Sequence, residues 1–576
     1  MTTITPAQTS TCTPSERAAH HRGLLVEAVQ AVTSRAAFSA FADRAPSGPT
    51  GDEATARFEA LLESPLHLPG HIGTVTLQND EISPWTRLPL GVGYPRAEAG
   101  ALIDNAQQAQ ASWSSLSIDE RAGVCIEMIE RMFAANVVLG LAAMHTTGQG
   151  RGMSQSGSGT NALDRGLEAV AAAWRVLSRV PTSATWEQTF GAELVALEKT
   201  YRIVPMGPAL VVACASFPAW NVYPAVFANL MAGNPVVVKP HPSSVLQMAL
   251  AVSIMRETLT DAGCPADAVQ LAVDSAAEPI TSVLATHPAI RIVDFTGSAR
   301  YGAWVEENAR QARVYSETSG LNSVVLDSFI DTDAAFRAIA GSISLFSAQM
   351  CTAPQNIYIP ENGVVTPDGI LSADEIEQGV VAAVAAIAES PRRAAAVLGA
   401  IQSDGTLDEI AALTASLRTL AHAQVKVLSE PRSWSAPDFP DARTSTPLIA
   451  RVGLDNDNLF THECFGPVVF LIRVPDARTA LKRAANDAAT HGAITAFLYS
   501  TDENLIDAAE DAFASAGAAL TINVTGAMPI NFSAAFSDFH VSGLNPAGTA
   551  TLTDESFVTG RFRVVQSRRP LRPSHN

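Results

Sequence analysis

From about residue 195 onward, short apolar runs that favour β-structure alternate with segments of helical periodicity. The candidate strands are 209–215, 234–240, 269–274, 291–296 and 322–327. This alternation predicts parallel sheets, because parallel strands are joined by crossover connections that usually contain a helix. A second series of the same kind begins at residue 355. The chain is therefore predicted to have an α/β fold with two α/β domains.

Helical patterns dominate the first 180 residues. An amphipathic stretch covers 18–44 and stops at a breaker run rich in proline and glycine, APSGP. Further helices are predicted at 100–115, 118–145 and 160–179. We assign residues 1–50 to an N-terminal helical extension.

The composition restricts the partners of the chain. A net charge of −19 argues against nucleic acid or an anionic membrane surface. The N-terminal stretch has no signal-peptide pattern, and no apolar run reaches the length of a bilayer span. Six cysteines without C-x-x-C spacing suit neither a zinc site nor a disulfide framework. We expect a cytoplasmic protein without metal, membrane or nucleic acid as a partner.

Two residues have side chains whose chemistry suits covalent catalysis. Cys351 follows the mostly apolar segment SISLFSAQM, and Glu317 lies earlier, in YSETSG. A thiolate can attack a substrate and hold an acyl group, and a carboxylate can drive water onto the resulting thioester. Cys351 and Glu317 are therefore candidate nucleophile and general base.

Polar residues also follow several predicted strands, at the sheet edge where open α/β sheets bind ligands. Asn221, in FPAWNVYP after the first strand, could donate a hydrogen bond to an oxyanion or could simply begin a helix. Lys239 ends the strand PVVVK and could contact a ribose or phosphate or remain solvated.

Two more motifs have the character of cofactor contacts. In DFTGSARYG, Gly297 and Ser298 lie between a strand and a helix, where small residues and a helix N-terminus can receive a pyrophosphate. An ordinary tight turn is the alternative, since no G-x-G-x-x-G follows a strand. In ECFGPV, Glu463 could bind a ribose diol and Phe465 could pack on a flat ring, or the segment could be a structural turn.

These motifs, in this order and spacing, resemble those of the aldehyde dehydrogenase superfamily over about residues 85–570. The resemblance implies an aldehyde dehydrogenase-like subunit with two α/β domains and a β oligomerisation arm, assembled as a homodimer or homotetramer. We accordingly assign 51–315 to an NAD(P)-binding domain with an arm hairpin at about 185–204, 316–525 to a catalytic domain, and 526–576 to a C-terminal return and oligomerisation strand.

The resemblance also implies a role for each motif residue. Cys351 would be the nucleophile, Glu317 the general base, and Asn221 with the Cys351 backbone N–H the oxyanion hole. The cofactor contacts would be Lys239 and Glu463 on the riboses, Gly297 and Ser298 on the pyrophosphate, and Phe465 and Trp220 near the rings. The implied reaction is thiolate attack on an aldehyde, hydride transfer to the nicotinamide, and hydrolysis of the thioester.

One departure from the family pattern bears on the cofactor. Where the family usually has a ribose-binding glutamate after the cofactor lysine, this chain has Pro242. With no carboxylate there to repel a 2′-phosphate, His241 and Ser243 could accommodate one. We therefore expect either NADP or NAD to serve, with NADP slightly favoured.

At a finer level the chain resembles the phenylacetic acid degradation branch called PaaN. The resemblance rests on the added N-terminal helix, on the segment DRGLEAV and on the C-terminal segment DESFV…RFRVVQSRR. It implies an aldehyde of aromatic catabolism as substrate, with a CoA-linked semialdehyde as one candidate.

Three hypotheses about the function stay open: an enzyme releasing a free acid, a CoA-acylating relative releasing a thioester, and a non-catalytic binding or scaffold protein. Retention of Glu317 favours the first, because hydrolysis needs a base and thiolysis does not.

Overall fold

The computed structural model describes residues 12–318, 320–420 and 424–571. The predicted N-terminal extension therefore lies outside the described residues over 1–11, as do Ser319 and the end of the chain from residue 572. The described chain begins with helices and one small antiparallel sheet of two strands. These elements are α1 Pro14–His20, α2 Arg22–Ser34, α3 Gly51–Glu59, β1 Thr74–Leu77, β2 Gly93–Arg96, α4 Ala99–Ser114, α5 Ile118–Ala134, α6 Asn136–Thr147, α7 Arg151–Gln155 and α8 Ala162–Leu177.

The helical prediction for 18–44 is wrong in its second half. Helix α2 ends where Arg35 adopts a left-handed conformation with φ of 55°. The chain then runs without helical structure, and Phe41 is fully buried. Tertiary packing of this segment therefore overrides its amphipathic periodicity. The predicted helix at 118–145 is also two helices, α5 and α6.

A five-stranded parallel sheet follows, in the order β7-β6-β5-β8-β9. The hairpin β3 Ser183–Phe190 and β4 Glu193–Pro205 precedes this sheet in the chain and belongs to a different sheet. The strands of the five-stranded sheet and the helices between them are β5 Ala209–Val212, α9 Pro218–Met231, β6 Val236–Lys239, α10 Leu246–Asp261, β7 Val269–Leu271, α11 Thr281–Ala285, β8 Ile292–Gly297, α12 Ala299–Asn308 and β9 Arg313–Thr318. The strand order reverses between β5 and β8. At such a switch point the loops after the two strands diverge and open a crevice at the carboxyl edge of the sheet.

The second sheet has seven strands in the order β14-β15-β16-β11-β10-β17-β18, all parallel except for β14 at the edge. Its part of the chain contains β10 Ser323–Leu326, α13 Thr332–Ser344, β11 Asn356–Pro360, the hairpin β12 Val364–Thr366 and β13 Gly369–Leu371, α14 Ala373–Ala388, α15 Pro391–Val397, α16 Asp404–Thr419, β14 Lys426–Ser429, β15 Leu448–Gly453, β16 Val468–Val474, α17 Ala477–His491, β17 Thr495–Tyr499, α18 Glu503–Ala516 and β18 Ala519–Ile522. The five candidate strands thus belong to parallel sheets, and the predicted α/β fold is confirmed.

The hairpin β3–β4 and the C-terminal strand β19 (Phe562–Pro570, after α19 Glu555–Thr559) form a separate antiparallel sheet in the order β19-β4-β3. Large apolar side chains stand exposed on it, with Leu194 at 62% and Val565 at 57% of full exposure.

Side chains of helix α8 bind two segments that are far apart in the sequence, one around Arg35 and one around Asp538. The fully buried guanidinium of Arg165 pairs with Glu168 at 2.8 Å and donates to Asp538 O at 3.0 Å and Ser533 Oγ at 2.8 Å. Arg35 of the N-terminal segment contacts the other oxygen of Glu168 at 3.0 Å. A buried arginine with these partners has replaced its hydration by protein hydrogen bonds, and removing any partner would leave buried charge uncompensated. The segment around residue 538 is thereby fixed to α8.

Among the residues that the structure describes, none of the helices combines the length and hydropathy of a membrane-spanning segment.

Candidate active site

Cys351 lies on a strained loop between α13 and β11. Phe346, Ser347 and Ala348 have φ of 49°, 50° and 53°, a left-handed conformation that residues with a side chain rarely adopt. Such a run persists only when its surroundings hold it. Here Ser347 Oγ donates to Leu398 O at 2.9 Å, and the Gln349 amide donates to Ala400 O at 3.0 Å.

Asn322 fixes the carbonyl side of the same loop. Its Nδ2 donates to Cys351 O at 2.8 Å and to Ala353 O at 3.0 Å, and its Oδ1 accepts from the backbone N–H groups of Ile494 and Thr495, both at 3.0 Å. One buried amide therefore satisfies four backbone groups on two segments. Sequence reasoning missed this residue, although it begins a predicted strand.

Three reactive side chains meet beside the loop. His540 Nε2 lies 3.8 Å from Cys351 Sγ and 3.1 Å from Glu317 Oε1, and the three donor atoms lie within 4.8 Å of one another. Glu317 and His540 are almost fully buried, whereas Cys351 is partly accessible. The structure thus brings together the predicted pair of Cys351 and Glu317 and adds a histidine that no sequence motif indicated.

Charge and burial act in opposite directions on this cluster. Burial alone would raise the pKa of Glu317, yet that pKa lies below its usual value because the charge and hydrogen bond of His540 outweigh burial, with smaller contributions from the nearby Asn221 and Cys351. Burial raises the pKa of the Cys351 thiol well above its ordinary range, and the nearby Glu317 carboxylate raises it further. The resting pair is therefore a carboxylate next to a protonated thiol.

Asn221 approaches the same point from helix α9. The helix starts with Pro218 at a position where proline costs no hydrogen bond, so Trp220 and Asn221 lie in its first turn, after the carboxyl end of β5. Both side chains line the cavity that contains Cys351 and Glu317.

That cavity has a volume of about 980 Å³ and extends from Cys351 to the carboxyl edge of the five-stranded sheet. All the sequence-predicted site residues line it: Cys351, Glu317, Asn221, Trp220, Lys239, His241, Ser243, Gly297, Ser298, Glu463 and Phe465. A cavity of this size and shape accommodates a large ligand at one end and a small substrate at the other.

The edge of the five-stranded sheet has a helix N-terminus that lines the cavity. Ser298 caps the N-terminus of α12, with its hydroxyl accepting from Tyr301 N at 3.4 Å. A Cβ on Gly297 would lie 2.8 Å from the Phe295 ring, so a side chain there would force a shift at this turn. An uncovered helix N-terminus facing a cavity favours an anion.

Lys239, which also lines the cavity, forms an ion pair within the protein. Its ammonium is buried, 2.6 Å from Asp274 Oδ1 and 2.9 Å from Pro240 O. No carboxylate was identified from the sequence for this end of the cavity, whereas the structure places Asp274, which follows β7, beside Lys239. His241 and Ser243 contact each other at 2.8 Å.

The comparisons with known proteins agree with this architecture. The model of the aldehyde dehydrogenase family matches residues 80–556, and the chain belongs to that family. The chain is also similar to the crystal structure of an NAD-dependent aldehyde dehydrogenase from Burkholderia multivorans, with 40% identity and a TM-score of 0.91 over 97% of this chain and 99% of that one. The predicted family and fold class are thus confirmed.

Two more distant relatives carry the name 1-pyrroline-5-carboxylate dehydrogenase. The Bacillus cereus protein is 25% identical over 352 residues, which span 60% of this chain and 63% of that relative. The structure of a mutant of the Thermus thermophilus protein shares the fold, with 18% identity and a TM-score of 0.72 over 90% of this chain and 96% of that chain.

Proposed function

We propose that the protein oxidises an aldehyde to a carboxylic acid with a nicotinamide dinucleotide, by way of a thioester on Cys351. The observation that supports this most is the continuity of one cavity. At one end a thiol lies beside an ionised carboxylate, and at the other the N-terminus of α12 faces the same space. A nucleophile, a base and an anion site in a single cavity suit a covalent reaction coupled to a dinucleotide.

Each residue of the site has its own role in the proposed reaction. Cys351 Sγ attacks the carbonyl carbon while its proton passes to the Glu317 carboxylate, and the carbonyl electrons move to oxygen. Asn221 and the Cys351 backbone N–H donate hydrogen bonds to that oxyanion. When bound, the nicotinamide supplies a hydride acceptor. Glu317 releases the thiol proton to solvent and is ionised again. It then takes a proton from water, whose oxygen attacks the thioester carbon, and Cys351 leaves with the electrons of the S–C bond.

An aromatic or otherwise apolar aldehyde suits the substrate end of the cavity. Phe217, Trp220 and Phe532 line the cavity, together with Met153 and Met350, and Met350 directly precedes Cys351. Large apolar side chains bind a flat apolar group by removing its surface from water. This lining and the PaaN-like sequence features support a role in phenylacetate-type aromatic catabolism, with a CoA-linked semialdehyde as one candidate substrate.

The test is to analyse the products formed from a panel of aromatic and aliphatic aldehydes, with NAD or NADP and with or without CoA. We expect reduced nicotinamide and free acid in equal amounts, at a rate that CoA leaves unchanged. A product that is the CoA thioester, formed only when CoA is present, would instead establish the acylating reaction. Absence of turnover with every aldehyde would contradict the proposal.

We propose that Asp274 makes NAD the better cofactor, although both dinucleotides fit. A buried carboxylate beside Lys239 at the ribose end of the cavity repels a 2′-phosphate and can accept hydrogen bonds from a ribose diol. Asp274→Asn is expected to raise the ratio of kcat/KM for NADP to that for NAD about tenfold, on the order of the 1.4 kcal/mol that a tenfold change represents.

Steady-state kinetics with both cofactors checks this expectation. The matched control is Asp104→Asn, which changes an exposed carboxylate on α4 and should leave the ratio as in the wild type. An unchanged ratio in Asp274→Asn would show that this carboxylate does not select the cofactor.

We propose a homo-oligomer, a dimer or tetramer, that uses the sheet β19-β4-β3. Its support is the exposed apolar surface of that sheet, which includes Phe190, Leu194 and Val565. We also propose a cytoplasmic location, which the scattered positions of the cysteines in the sequence suit.

A further inference from the structure

His540 reaches the reactive pair from the far end of the chain. Its segment runs antiparallel to β9: Thr318 N donates to Ala547 O at 2.7 Å, and Glu317 and Gly548 form a bridge. This pairing is close, because a Cβ on Gly548 would lie 2.8 Å from Ser316 O. This backbone pairing brings the segment that carries His540 beside β9.

The imidazole itself is tightly confined. Its side chain is 2% exposed, its backbone carbonyl accepts from Leu552 N at 3.0 Å, and the Trp220 ring packs edge-on at 5.7 Å between centroids. Arg165 lies over that indole, 5.2 Å from its centroid, and also holds the backbone at Asp538. A side chain locked in this way can fix the orientation of a neighbour.

Nε2 faces two groups of different acidity. It is 3.1 Å from Glu317 Oε1 but 3.8 Å from Cys351 Sγ, so a proton on Nε2 forms its stronger hydrogen bond with the carboxylate. The other titratable groups near the pair are Cys214, whose thiol pKa is raised by burial, and Glu463 near Cys351. Among these neighbours, His540 is the group that can bring positive charge to Glu317.

We propose that His540 is a positioning residue that holds the Glu317 carboxylate ionised and turned towards Cys351, so that thioester hydrolysis continues into the acidic pH range. This rests on the proposed function, in which Glu317 activates water. The direction follows from electrostatics: without His540, burial is the dominant influence left, and the pKa of Glu317 rises. Below that raised pKa the carboxyl is protonated and cannot accept a proton from water.

The test uses 4-nitrophenyl acetate without a nicotinamide cofactor, which separates this inference from the redox reaction. The thiolate attacks the ester carbon, the S–C bond forms, and 4-nitrophenolate leaves with the electrons of the C–O bond. The burst reports acylation of Cys351, and the steady rate that follows reports hydrolysis of the acyl-enzyme. Both are measured from about pH 5.5 to about pH 9, a range that spans the usual pKa of histidine. The proteins compared are the wild type, His540→Gln, His540→Ala and Glu317→Gln, with exposed His67→Ala as the matched control.

We expect the acidic limb of the hydrolysis rate to move up by about one pH unit or more in His540→Gln, with rates near those of the wild type at about pH 9. Glutamine keeps a hydrogen-bond donor but has no charge, so it reports charge even if His540→Ala does not fold. His540→Gln added to Glu317→Gln should have no further effect on the pH profile. The proposal would be overturned if the acidic limb of His540→Gln coincided with that of the wild type. It would also be overturned if the hydrolysis rate of His540→Gln fell by the same factor at every pH. Failure of aldehyde oxidation with an intact ester reaction would instead overturn the proposed function alone.

Discussion

Replacing Cys351 by alanine is expected to lower the rate of aldehyde oxidation at least about 1,000-fold, because its sulfur carries the substrate through every covalent step of the reaction. The removed atom is Sγ, which lies near Glu317 and His540. Cofactor affinity should stay within about twofold, since Lys239 and α12 lie at the other end of the cavity and keep their contacts.

Two measurements check this expectation: reduced nicotinamide formed per second, and cofactor binding followed by titration calorimetry. Cys264→Ala is the matched control, because it removes a partly buried thiol that lies outside the cavity lining. It should turn over aldehyde as the wild type does. Residual oxidation near the wild-type rate in Cys351→Ala would remove Cys351 from the mechanism.

Glu317→Gln is expected to separate the two halves of the reaction. Without the carboxylate the thiol loses its proton acceptor, but its pKa is also no longer raised by the Glu317 charge, so the thiolate can form by losing its proton to water. The thioester therefore still forms, and the first turnover should give a burst of reduced nicotinamide approaching one per subunit. Release of acid should then slow at least about 100-fold, the range in which loss of a general base usually falls. The amide occupies nearly the same volume as the carboxylate, so the packing of β9 is kept.

Rapid-mixing absorbance gives the burst, and the intact mass of the protein after mixing shows the bound acyl group. Glu361→Gln, which changes an exposed carboxylate directly after β11, should give wild-type kinetics. A variant Glu317→Gln that hydrolyses its acyl group at the wild-type rate would show that Glu317 is not the base.

The sheets were predictable from sequence for a simple physical reason. Parallel strands are covered on both faces, so β6 and β16 appear as continuous apolar runs that few other structures explain. The end of the helix in 18–44 was not predictable, since its periodicity continues past Arg35 and only tertiary packing stops it.

Some residues of the candidate site were predictable from the sequence and others were not. Cys351, Glu317 and Asn221 carry local motifs, and each lies near the end of a strand or helix. Asp274 had a usable signal that was overlooked, because it comes shortly after β7 at the edge where ligands bind. His540 had no such signal: it lies 223 residues from Glu317 and 189 from Cys351, and tertiary contacts of its segment with β9 and α8 bring it there.

The anchoring of the segment before His540 has a consequence for biosynthesis. Arg165 lies 373 residues before Asp538, whose carbonyl accepts its hydrogen bond, so this contact cannot form until the chain has been synthesised through residue 538. Contacts between such distant positions form late, because the intervening chain must first lose its freedom. A nascent chain can therefore carry a folded nucleophile loop while its base still lacks the imidazole. Glu317 therefore gains its imidazole neighbour only after the segment around residue 538 has been synthesised and has packed against α8.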